Sequence, residues 1–139
     1  MGKYLWSFSL LFVLVGCAKE FRPVVVHPAM GELPILFRFN SEQIDPEQLA
    51  LIKKEAVLLE RHQHLTLIVE GHTDAVGDSG YNLELGDRRA RQVLVKLVEA
   101  GVDPKRLIVV SRGKEYPRES NRTRAGRDQN RRVEFVVRQ

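Results

Sequence analysis

The chain has 139 residues, 43% of them hydrophobic and 29% charged, the balance of a packed domain, which excludes a disordered or fibrous chain. Once a leader is set aside, about 120 residues are left, enough for one domain with a core of its own. The formal net charge is +4, and a single cysteine excludes an internal disulfide framework. The chain opens with Lys3 ahead of a nearly unbroken apolar run: Leu5, Trp6, Phe8, Leu10, Leu11, Phe12, Val13, Leu14 and Val15. A spanning helix needs about 20 such residues, so this stretch predicts a secretory leader, residues 1–16, closed by the small Gly16.

Cys17 stands where cleavage falls, and Leu14-Val15-Gly16-Cys17 resembles the lipobox of bacterial lipoproteins. The resemblance implies that Cys17 is acylated and becomes the first residue of the mature chain. Ala18, where an aspartate would signal retention, implies transfer to the outer membrane. Residues 17–34 carry Pro23, Pro28 and Pro34 with no helical period, and predict an extended tether. Nearly extended, it reaches roughly 55 Å.

From residue 35 the pattern predicts one folded domain, residues 35–139. Ile35-Leu36-Phe37-Arg38-Phe39 is a first strand. Asp45-Pro46-Glu47-Gln48 is a helix start with a capping Asp, a first-turn proline and Gln three residues beyond the cap. Leu49, Ile52, Ala56 and Leu59 give that helix one buried face. Residues 65–70 alternate as a second strand. After a polar loop, Leu83, Ala90, Val93, Leu94, Leu97 and Val98 keep the helical period until Gly101 stops it. Residues 107–110 and 133–137 are the third and fourth strands. Between them runs an arginine-rich segment, read as a loop: Arg118, Arg122, Arg124, Arg127, Arg131 and Arg132. The first three strands, each separated by a helix, predict parallel crossovers, and the last an antiparallel addition.

Polar residues concentrate in two places. Gly71-His72-Thr73-Asp74 follows the second strand, and residues 81–91 open the second helix. Ligands of open sheets gather beyond the carboxyl ends of strands, which places Asp74 at a crevice. Arg89 lies two helical turns after Asn82 on the same face. A carboxylate and a guanidinium in one pocket suit a ligand that carries both an ammonium and a carboxylate.

Glu70-Gly71-His72-Thr73-Asp74, Gly77, Tyr81-Asn82, Leu85 and Arg88-Arg89-Ala90 resemble the signature of OmpA-like C-terminal domains, including peptidoglycan-associated lipoproteins. Gly126-Arg127 and Asn130-Arg131-Arg132-Val133 are similar to that family's closing motif. The resemblance implies an α+β sandwich of βαβαββ order, with two helices on one face of a mixed four-stranded sheet. It also implies non-covalent binding of peptidoglycan through the meso-diaminopimelate of its stem peptide, tethering outer membrane to cell wall. Asp74 then holds the ammonium and Arg89 the carboxylate. Asn82, Thr73 and the backbone near Leu85 line the pocket, Asn40 closes one side, and Arg131 or Arg132 braces it or meets a further carboxylate. Replacing Asp74 or Arg89 by Ala is expected to abolish wall binding and leave the thermal transition nearly unchanged. Arg38 departs from the family pattern, where many members carry an acidic residue, and bears on the charge beside the pocket.

Rival readings fare less well. His62, His64, His72 and Asp74 are of zinc-ligating type, but no third ligand and activating carboxylate are spaced for catalysis, so neither metal nor cofactor is expected. No nucleophile elbow or phosphate-cradling glycine loop occurs, and no enzyme is expected. The arginines lack interleaved aromatics for base stacking, and export argues against nucleic acid. The alternative is a lipoprotein whose domain acts mainly as an interaction module of a Tol-type envelope complex.

Overall fold

The computed structural model describes residues 30–139, so Cys17, the leader and the tether as far as residue 29 lie outside the described residues. In chain order the elements are β1 (Ile35–Leu36), α1 (Leu49–Arg61), β2 (Thr66–His72), α2 (Ser79–Glu99), β3 (Leu107–Gly113), α3 (Arg124–Asn130) and β4 (Arg132–Arg138). They form one mixed four-stranded sheet in the order β1-β4-β2-β3. β2 and β3, joined through α2, are parallel, whereas β4 runs antiparallel to both β1 and β2 and separates them. The fold is therefore the expected α+β type, with the last strand central in the sheet.

The strands alternate as half-buried strands must. Leu67 and Val69 on β2, and Val133 and Phe135 on β4, face α1 and α2 and form the core with Ile35, Ile52, Leu59, Val93 and Leu97. Residues of the opposite parity, among them Ile68, Glu70, Glu134 and Val136, are half-buried or exposed. Met30 is buried in the core, and Glu55 on α1 accepts the Gly31 N–H, so the packed unit takes in residues ahead of β1. Burial, opposed by the Gly31 hydrogen bond and Lys54, holds the Glu55 carboxyl above its ordinary value.

Local chemistry departs from the sequence expectations at three points. Pro46–Gln48 forms a 3-10 turn ahead of α1, and the Asp45 side chain caps nothing. Asp45 instead pairs with Arg38 at 3.0 Å, while Gln48 accepts the Leu36 N–H at 3.0 Å and ties the helix start to β1. The arginine-rich segment contains α3, a short polar helix that no apolar period announces. Thr123 caps it by accepting the Gly126 N–H at 3.0 Å. In α2, Leu83 and Val98 are exposed, while polar Asn82 and Arg89 are buried with Leu85 and Gly86. The first half of this helix turns a partly polar face inward.

That inward turn rests on two glycines. A Cβ on Gly71 would stand 1.8 Å from the Gly86 carbonyl oxygen, and one on Gly86 would stand 2.3 Å from Ser111 Oγ. No other residue type lets the α2 backbone lie this close to β2. The contact brings Asn82, Leu85 and Arg89 over the carboxyl end of β2, where Thr73 and Asp74 emerge.

Candidate functional site

A cavity of about 90 Å³ lies at that junction. Thr73 and Asp74 line it from beyond β2, Asn82, Leu85 and Arg89 from α2, and Asn40 and Arg131 from the flanking segments. Phe39, Val76, Gly77 and Tyr81 complete the wall. The volume corresponds to about three water molecules, the scale of an ammonium–carboxylate head group.

Asp74 is only 4% exposed. Its Oδ1 accepts the Val76 N–H at 3.0 Å, and its Oδ2 accepts from Arg131 Nη1 at 3.1 Å. Arg131 also donates Nε to the Phe37 carbonyl at 3.1 Å and Nη2 to Asp128. Thr73 donates its hydroxyl to the Asp74 carbonyl at 3.0 Å, and its N–H is held by the Gly113 carbonyl at 2.9 Å. The acid is thus fixed in place, with one partner on each oxygen and lone pairs left for a ligand.

Arg89 is 0% exposed, a cation removed from water. It donates Nε to the Ser41 carbonyl at 2.8 Å, Nη1 to the His72 carbonyl at 2.9 Å and Nη2 to the Arg38 carbonyl at 3.1 Å. Its guanidinium carbon lies 5.2 Å from the centroid of the Phe37 ring. Burial first, and Arg131 second, push its pKa down to about 10, opposed by Asp74 and Glu42, so it is charged at neutral pH. Of its five N–H donors, three are engaged by backbone carbonyls, which leaves two. This position corrects the expectation that truncating Arg89 spares stability. The side chain ties together the β1–α1 loop, the end of β2 and α2.

Asn82 holds the loop before α2, donating Nδ2 to the Val76 and Asp78 carbonyls at 2.8 and 2.9 Å. Asn40 adopts φ 50°, a left-handed conformation that Asn tolerates, and its side chain accepts from the Tyr81 hydroxyl. Arg132 stands apart from these residues. It is 4% exposed, donates Nε to Glu134 at 2.5 Å, and reaches the Tyr116 and Asn130 carbonyls rather than the cavity. Of the two adjacent arginines, Arg131, at the end of α3, lines the cavity, and Arg132, the first residue of β4, does not.

Arg88 pairs with Glu42 at 3.5 Å and with Glu84, and Arg91 pairs with Asp87, as exposed helix charges do. Phe39, Val76 and Arg131 also line a wider groove of about 640 Å³, together with Arg38, Arg124 and Arg127. The charge of Arg38 is met there by Asp45. Phe39 and Tyr81 received no role from the sequence. Phe39 was expected as the last residue of the first strand, but β1 ends at Leu36, and Phe39 lies beyond it with its ring exposed.

The chain matches the OmpA family over residues 36–131. It is 38% identical over 101 residues to outer membrane protein A of Bordetella avium, a match covering 73% of this chain and 52% of that protein. It is likewise 38% identical over 101 residues to the peptidoglycan-associated lipoprotein of Legionella pneumophila, covering 73% and 57% of the two chains. The chain therefore spans little more than half the length of these relatives. The crystal structure of the peptidoglycan-associated lipoprotein from Burkholderia pseudomallei superposes with a TM-score of 0.73 at 34% identity, covering 76% of this chain and 89% of that one. A family match over most of the chain and a shared fold at this identity lead to one conclusion: the chain belongs to the OmpA family.

Proposed function

We propose that this protein is a lipid-anchored outer-membrane protein whose domain faces the periplasm and binds peptidoglycan non-covalently through the diaminopimelate of the stem peptide. The carrying observation is the joint burial of Asp74 and Arg89 on one small cavity. Buried charges of opposite sign, each with unused hydrogen-bonding capacity, match a zwitterionic head group and little else of that size. The kinship with peptidoglycan-associated lipoproteins supports the same partner. Asp74 takes the ammonium and Arg89 the carboxylate, with Asn82, Thr73, Asn40 and the backbone near Leu85 as walls. Arg131 holds Asp74 in position. The role is one of binding, with no bond made or broken.

Acylation of Cys17 supplies the membrane end of the link. More than one acyl chain makes the attachment stable. Because Met30 is buried in the core, the chain between residues 17 and 30 reaches at most about 43 Å. The wall must then lie within that distance of the membrane, plus the depth of the domain.

Retention on purified sacculi, compared with retention on DNA at matched salt, tests the partner class. Sacculus retention that survives moderate salt, with DNA binding that does not, is the expected result. Preferential retention on DNA would overturn the proposal.

A further inference from the structure

On the sheet face turned away from α1 and α2, three side chains converge that the ligand cavity does not use. Glu70 and Glu134 sit directly opposite each other on β2 and β4. Like charges in that register repel. Beside them is His72, 2% exposed, with neither ring nitrogen hydrogen-bonded to any described group. Buried polar atoms are almost always satisfied, so both features need a cause.

The distances suggest one. His72 Nε2 stands 3.8 Å from Glu70 Oε2 and 4.0 Å from Glu134 Oε2, and one ligand atom from each residue falls within 4.8 Å of the others. These gaps are too long for hydrogen bonds. Donors about 2.0–2.2 Å from a tetrahedral ion stand about 3.4 Å apart, so ion binding asks for a contraction of about half an ångström at the two histidine gaps and up to about 1.4 Å between the carboxylates, within reach of side-chain rotation. The register with β3 shifts between Gly71 and His72, where Arg112 of β3 is left without a partner on β2.

We propose that Glu70, His72 and Glu134 form a binding site for one divalent transition-metal ion of the Zn²⁺ class, a solvent molecule completing the set. The surrounding arginines orient the ligands. Arg112 holds Glu70 Oε1 at 2.9 Å and Arg132 holds Glu134 Oε1 at 2.5 Å, so each carboxylate turns its other oxygen toward the imidazole. Such outer hydrogen bonds commonly set the direction of metal ligands. Neither His72 ring nitrogen is engaged by a described group, so the imidazole has a nitrogen lone pair to offer. With Arg118 also 3.8 Å from Glu134, three cations surround two carboxylates. A hard ion held by charge alone is therefore disfavoured. An ion with real affinity for imidazole nitrogen is selected, Zn²⁺ over Mg²⁺ or Ca²⁺.

The test uses the mature, metal-stripped protein in equilibrium dialysis against Zn²⁺ and against Mg²⁺, with Co²⁺ absorption as a report on geometry. The expected result is one Zn²⁺ per chain, no Mg²⁺, tetrahedral-type Co²⁺ bands and a raised thermal transition. H72Q and E134Q should each weaken Zn²⁺ uptake at least about tenfold. A H62Q/H64Q double variant should leave uptake unchanged, since those rings pair with each other at 6.5 Å and belong to no part of this cluster. Should H72Q fail to fold, E134Q decides, because Glu134 is partly exposed. Absence of Zn²⁺ uptake by the folded parent, or uptake undiminished in the folded variants, would overturn the proposal.

Discussion

Arg89→Ala offers the sharpest separation between a side chain that only meets a ligand and one that also holds the fold. The substitution removes three charge-assisted hydrogen bonds, to the carbonyls of Ser41, His72 and Arg38. Bonds to charged groups contribute about 1.5–3 kcal/mol each. The Arg38 and Ser41 carbonyls lie on an accessible loop and can be rehydrated, whereas the His72 bond is fully buried. The net loss is therefore about 3–5 kcal/mol, the range found when one side of a buried charge contact is removed. Set against a total stability of 5–15 kcal/mol for typical domains, this is a large fraction. With a urea dependence of about 2 kcal/mol per molar, the unfolding midpoint should fall by about 2 M. Arg89→Lys should recover part of it, because one ammonium meets fewer of three divergent carbonyls. A midpoint for Arg89→Ala within a few tenths of a molar of the parent would refute the structural role assigned here.

Other expectations follow from the same geometry. Gly71→Ala places a methyl group 1.8 Å from the Gly86 carbonyl oxygen and should cost at least about 2 kcal/mol in urea unfolding, with lost ligand affinity as α2 is displaced. Glu55 has a raised folded pKa, so its protonated form is favoured in the folded state. Its contribution is fully present below the unfolded pKa and lost as pH rises through the folded value. Glu55→Gln should thus gain stability relative to the parent between pH 4 and pH 7, and a relative loss would contradict the sign. Cys17→Ser should move the mature protein from the membrane to the soluble periplasmic fraction, and continued membrane retention would point to another anchor.

Much of the architecture was readable because it is local. The apolar spacing of Ile52, Ala56 and Leu59, and of Ala90, Val93 and Leu97, announced two helices, and both bury those residues. Pairing order is not local, so the insertion of β4 between β1 and β2 left no mark in the sequence. α3 was hidden because a seven-residue polar helix has no apolar period to show. Placement of the polar residues was harder. Spacing put Asn82 and Arg89 on one helix face but gave no sign that this face is buried, which the Gly71–Gly86 contact explains. The family resemblance brought Asp74, Arg89, Asn82, Thr73, Leu85, Asn40, Arg131 and Arg132 to attention, and all but Arg132 line one cavity. What it did not convey is that Arg89 is already held by three carbonyls, or that Arg131 is the partner of Asp74. The juxtaposition of Glu70 with Glu134 depends on strand register, which residue spacing alone does not supply.

The clasp between Asp74, Arg89 and a zwitterionic head group is tested most directly by calorimetric titration of the mature protein with two stem peptides. One carries meso-diaminopimelate, and the other carries lysine, which keeps the ammonium and lacks the carboxylate. The diaminopimelate peptide should bind, and the lysine peptide should bind at least about thirtyfold more weakly, the equivalent of about 2 kcal/mol for an unpaired buried charge. Asp74→Asn should weaken the first peptide by a similar factor while staying folded. Equal affinity for the two peptides, or a parent-like affinity in Asp74→Asn, would contradict the clasp.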